Sequence, residues 1–154
     1  MDIHGLEWLI SELPVFAGMA ADHCELIAGC AKNVRFDEGE YLFREGDPAN
    51  VFFLIRDGRI ALELSADLRP LRFLTVSAGE IAGVSWLVPP HQWLFDAQAV
   101  VPTRALSVDA RCLRGKCEDN HHFGYEMMKR LSTLLVQHLH AAQLQILEVY
   151  GAGR

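Results

Sequence analysis

The side chains able to do chemistry stand at spacings that suit few reactions. Cys24 and Cys30 are separated by five residues, and Cys112 and Cys117 by four. Common zinc and iron-sulfur sites hold their thiolates in closer C-x2-C pairs. His121 and His122 adjoin near Cys117, but neighbouring side chains on a helix point about 100° apart and do not close on one ion. His138 and His140 fall in the terminal helical stretch, while His4, His23 and His91 are spread over helix and loop. No set of strand-borne histidines with a carboxylate forms the facial triad of a metal enzyme. No G-x-S-x-G elbow lifts a serine nucleophile either. The expectation is a chain that is not an enzyme and carries no metal.

One segment has a chemistry of its own. Trp86, Pro89, Pro90, His91, Trp93 and Phe95 lie within ten residues and Asp96 follows them. Aromatic side chains at that density either fill an interior or line a site for a flat, apolar ligand. Asp96 turned inward would repel an anion; turned outward it would be solvated.

The elements that position this segment follow from hydrophobic pattern. Leu6, Leu9, Ile10 and Leu13 share a helical face, Pro14 breaks the run, and a second helix opens near Asp22, whose spacing to Glu25 is that of a capping box. From Val34 the pattern becomes short and strand-like. Ile60, Leu62 and Leu64 alternate with Arg59, Ala61 and Glu63, a period of two. Asp57-Gly58 between Val51–Ile55 and Ile60–Leu64 suggests a hairpin. Further strands are expected over 71–76, 96–100 and 104–108, and so many short strands imply a sandwich or barrel. After Asp109 the chain reads as helix, and Leu135, Leu139, Ala142, Ile146 and Val149 recur at spacings of four and three. That seam wants a partner helix, and a homodimer through residues 119–150 is expected.

Composition excludes other classes. At 154 residues, 51% hydrophobic and 22% charged, the chain suits one globular module. Fourteen Lys and Arg against twenty Asp and Glu leave a formal charge of −6, which repels a phosphate backbone. The start MDIHGLEWLISEL lacks a basic lead and an unbroken apolar run, so no signal peptide, no membrane contact and a cytoplasmic location are expected. In that compartment the four cysteines should stay reduced.

The segments FDEGEYLFREGDPANVFFLIRDGRIALEL and GEIAGVSWL, together with the final helix, resemble the cyclic-nucleotide-binding domain family of the Crp-Fnr type. The resemblance covers roughly residues 13–150. It implies a mainly β, double-stranded β-helix (jelly roll) with flanking helices. Its lead-in and sensor part would be residues 1–118, followed by a dimerisation helix and no helix-turn-helix domain. Gly39, Gly46, Gly58 and Gly79 stand at the turns that such strands require.

Function in that family rests on a phosphate cassette, where a short helix offers its N–H groups to the cyclic phosphate, a Glu accepts from the ribose and an Arg pairs with the phosphate. Laying Gly79 and Gly83 on the cassette glycines puts Val84 at the Glu position and Leu94 or Phe95 at the Arg position. No Arg occurs between Arg72 and Arg104. Losing two charge-assisted contacts costs ~3–6 kcal/mol, roughly two to four decades of affinity. Gln98, Arg72 or Arg104 could supply a replacement donor, and Ser85 a helix cap. The candidate ligand-binding residues are therefore Gly79, Ile81, Ala82, Gly83, Val84, Ser85, Trp86, Trp93, Phe95, Asp96, Ala97 and Gln98. The expected function is a regulatory module, with a cyclic nucleotide or another small effector and a regulatory protein as candidate partners. The alternatives are an interaction module with a closed pocket, or an effector domain that does take a nucleotide.

Overall fold

The computed structural model describes residues 3–151; residues 1–2 of the lead-in and 152–154 of the tail lie outside the described residues. Helix α1 (Ile3–Glu12), a 3-10 turn (Pro14–Phe16) and α2 (Ala21–Ala28) open the chain. Leu6 and Ile10 are buried, and Leu9 and Leu13 pack beside them, as the helical face requires. Asp22 lies inside the first turn of α2 and makes no cap, since Ala20 holds the N-cap position.

Seven strands follow: β1 (Ala31–Phe36), β2 (Tyr41–Phe43), β3 (Val51–Asp57), β4 (Arg59–Leu64), β5 (Leu71–Ser77), β6 (Asp96–Ala99) and β7 (Thr103–Asp109). They form two antiparallel sheets, β1-β7-β3 and β2-β6-β4-β5, whose facing sides enclose one apolar core. The expected hairpin of β3 with β4 does not form. β3 pairs with β7, and β4 pairs with β5 and β6. Gly58 instead hands the chain from one sheet to the other at φ +115, with Thr103 so close that a Cβ on residue 58 would lie 2.8 Å from its Cα. Alternation reports which face a residue takes, not which strand lies beside it.

Two helices close the chain, α3 (Ala110–Asp119) and α4 (His121–Gly151). Asp109 caps α3 by accepting the Cys112 N–H at 3.1 Å. The 31 residues of α4 span about 46 Å. Phe123, Met127, Leu131 and Leu134 bury one stripe of α4. Leu135, Leu139, Ile146 and Val149 stand exposed, and Ala142 is half-buried at the margin. No described helix is long and apolar enough to cross a membrane.

The cysteines depart from the reduced state expected of them. Cys30 and Cys112 form a disulfide across 82 residues of sequence, because the end of α2 meets the start of α3 only in the folded chain. Cys24 and Cys117 remain free thiols. Burial raises both above the usual thiol range, with Glu7 and Glu118 respectively adding to it.

Candidate functional site

The cassette segment leaves β5 at Gly79, whose φ of +90 turns the chain under Pro14. Gly79 donates to Ile55 O, Ile55 to Glu80 O and Ala82 to Phe53 O, so residues 79–82 run pinned along β3. Ile81 and Ala82 are fully buried there. Gly83 follows at φ +89. Beyond it the expected short helix is absent: Ser85–Leu87 form only a turn, closed by the Leu87 N–H on Val84 O at 3.0 Å. Ser85 thus has no helix to cap, and no helix terminus aims its N–H groups at an anion. Val84 is half-buried and apolar where the resemblance would place a carboxylate.

Aromatic rings stand against this turn. Trp93 lies on Phe43 of β2 with centroids 3.7 Å apart and planes 8° from parallel. Phe95 meets Phe73 of β5 edge-on at 5.5 Å and Phe43 at 5.7 Å. A Cβ on Gly83 would come within 2.8 Å of the Trp93 ring and 3.1 Å of Phe95. Backbone bonds fix Trp93 in place, its N–H on Asp47 O at 3.0 Å and its carbonyl taking the Gly46 N–H at 2.8 Å. Of the two positions expected at the Arg site, Leu94 is 69% exposed and points away, while Phe95 turns toward the cassette. Trp86 is fully buried, stacked on Phe52 of β3 at 3.9 Å. Phe43, Phe52 and Phe73 lay outside the expected site because nothing local in the sequence ties them to residues 86–95.

The charged candidates do not join this cluster. Along β6 the side chains alternate, so Ala97 and Ala99 enter the core while Asp96 and Gln98 take the other face. Asp96 is 5% exposed, yet neither orphaned nor solvated: its Oδ1 accepts the Glu45 N–H at 2.7 Å and pairs with Arg44 Nε at 3.3 Å. It fastens the β2–β3 connection. Gln98 donates to Gly39 O at 3.0 Å, Arg72 to the buried Glu63 at 2.8 Å, and Arg104 pairs with Asp57 at 3.8 Å. Each proposed substitute donor is thus engaged elsewhere. Among the described residues, no three His, Cys, Asp or Glu side chains converge to hold a metal.

One cation does reach the cassette. Arg114 of α3 donates through Nη1 to Trp86 O at 2.5 Å and to Ala49 O at 3.3 Å. Burial, then the neighbouring Arg111, lowers its guanidinium below the ordinary value. Helix α3 therefore grips the outgoing limb of the cassette, and α4 follows from α3. Sequence spacing could not reveal this, since the partners stand 28 positions apart.

The comparisons agree with this geometry. A sequence model of the cyclic nucleotide-binding domain matches residues 33–120. Over 136 residues, 84% of this chain, the sequence is 29% identical to cyclic nucleotide-gated ion channel 18 of Arabidopsis thaliana, and the match spans 19% of that channel's length. Among solved structures, a protein described as cyclic nucleotide-binding from Geobacter metallireducens is 25% identical, with a TM-score of 0.77, over 87% of this chain and 97% of its own. A cyclic nucleotide-binding domain from Methylobacillus flagellatus superposes with a TM-score of 0.78 at 17% identity, over 94% and 82% of the two chains. With its two-sheet β architecture, its turn glycines and a sequence match over more than half its length, this chain belongs to the cyclic nucleotide-binding domain family.

Proposed function

We propose that this chain is a non-enzymatic regulatory module whose cassette is filled by its own aromatic side chains and takes neither cyclic AMP nor cyclic GMP. The observation that carries the reading is the close approach of Trp93 and Phe95 to Gly83, with Val84 in place of a ribose-binding carboxylate. A cyclic phosphate brought against Gly83 would meet the Trp93 ring and find neither a guanidinium nor a helix terminus. The output runs through Arg114: any partner side chain or effector that shifts Trp86 pulls on α3 and so on α4. The exposed seam of Leu135, Leu139, Ile146 and Val149 pairs with a second copy, burying side chains that a monomer leaves in water. The module passes its signal to a protein partner, while the net charge of −6 disfavours direct contact with nucleic acid.

The test is a thermal scan with each cyclic nucleotide. A ligand at 100 times its dissociation constant adds ~2.7 kcal/mol of stability, several degrees in a domain of this size. No shift at millimolar nucleotide is expected. A saturable shift, confirmed by calorimetric titration, would overturn the reading.

A further inference from the structure

The Cys30–Cys112 disulfide lies away from the cassette, in the wall of an open pocket of about 490 Å³ that Lys32, Asn50, Ser107 and Arg111 also line. Both cysteines are half-buried and line the pocket, and Lys32 and Arg111 are exposed beside them. Asp109, the acid in this lining, is turned to the start of α3, where it accepts the Cys112 N–H.

The two sulfurs differ in what their helices do to a negative charge. Cys112 is the third residue of α3, close to a helix N-terminus that stabilises a thiolate. Cys30 directly follows Gly29 at the end of α2, where the dipole opposes a thiolate. In thiol exchange the better leaving sulfur is the one whose thiolate is more stable. The α3 terminus favours Cys112, while the Asp109 carboxylate at its N–H and the Lys116 ammonium at the end of α2 act the other way. Attack on Cys30 with departure of Cys112 is the order that peptide mapping tests.

We propose that this pocket is a thiol-exchange site for a small anionic peptide thiol, whose carboxylates are held by Lys32 and Arg111. The thiol loses its proton to solvent, and its thiolate attacks Cys30 Sγ. A mixed disulfide forms there as the Cys30–Cys112 bond breaks, and the bonding pair leaves on Cys112 as thiolate, which takes a proton from water. A second thiolate attacks the outer sulfur of the mixed disulfide, releasing the small molecule's own disulfide and leaving Cys30 as a thiol. Two thiols thus supply the two electrons. The exchange removes the covalent tie between the lead-in helices and α3, the helix that holds Trp86 through Arg114. It goes beyond the reading of the cassette and stands whether or not that pocket takes a ligand.

The full oxidised chain is treated with reduced glutathione, which is anionic, and in parallel with cysteamine, which is cationic, at matched thiolate concentrations. Mixed-disulfide formation is followed by intact mass and located by peptide mapping. Glutathione should react at least about tenfold faster at low salt, with the adduct on Cys30, and the Lys32→Glu/Arg111→Glu chain should reverse the preference. Equal rates for the two thiols on the unmodified chain, an adduct placed on Cys112, or free thiols at both positions in the air-oxidised protein would each overturn the proposal. Because both rates are read on the unmodified chain as well, a variant that failed to fold would leave the test intact.

Discussion

Trp93 stacks flat on Phe43, two side chains fifty residues apart in sequence, at a centroid separation of 3.7 Å. The pair closes the space in front of Gly83 and also builds the core. Trp93→Ala should therefore destabilise the fold by ~3–5 kcal/mol, the cost of a large aromatic cavity, measured by urea unfolding. Leu94→Ala next to it, at an exposed position, should change stability by less than about 0.5 kcal/mol. Gly83→Ala adds a Cβ at a positive φ and against the Trp93 ring, a loss of ~1–3 kcal/mol. Part of that loss should vanish in a Trp93→Ala background. Strict additivity in that double-mutant cycle would show that the ring and the glycine do not constrain each other.

Arg114→Met should free the cassette turn while keeping the aliphatic packing of the side chain. It leaves the carbonyls of Trp86 and Ala49 without their donor, at a cost of ~1–3 kcal/mol. Hydrogen exchange at the amides of Leu87 and His91, whose bonds close the turn, should quicken relative to those of β7. Unchanged protection there would mean that α3 does not govern the cassette.

The outer face of α4 should set the oligomeric state. Leu139→Glu places a charge in the seam at a side chain that the monomer leaves 61% exposed, so its melting point measured on dilute protein should stay near that of the parent. Sedimentation at several concentrations should show the parent as a dimer and the variant as a monomer. A parent that stays monomeric at high concentration would refute pairing through α4.

His138 of α4 gives the stability a dependence on pH. Burial lowers its imidazole pKa below the usual 6.5, while Glu80 beside it acts in the opposite direction. Because the folded pKa is depressed, the unfolded chain binds the proton more readily. The contribution of His138 is fully present above pH ~6.5 and is lost as pH falls through the folded value. The melting temperature should drop as pH falls below about 6.5, and His138→Gln should remove part of that slope. An identical slope in the variant would assign the titration to other groups.

What the sequence determined by itself was the outline. Short apolar runs, one of them with a period of two, placed β3 to β7, the glycines marked the turns, and the missing Glu and Arg marked the cassette as altered, because each of these signals lies within a few residues of chain. Contacts between distant segments settled the rest. Whether β3 pairs with β4 or crosses to the other sheet depends on what packs behind Gly58, and the side chain there is Thr103. Asp96 looked stranded in an apolar run until folding brought the Glu45 amide to it. Cys30 and Cys112 looked like separate thiols because they stand 82 positions apart in sequence. Pattern records which way a side chain faces; the partner it meets there is fixed by packing between segments far apart in the chain, which local spacing does not encode.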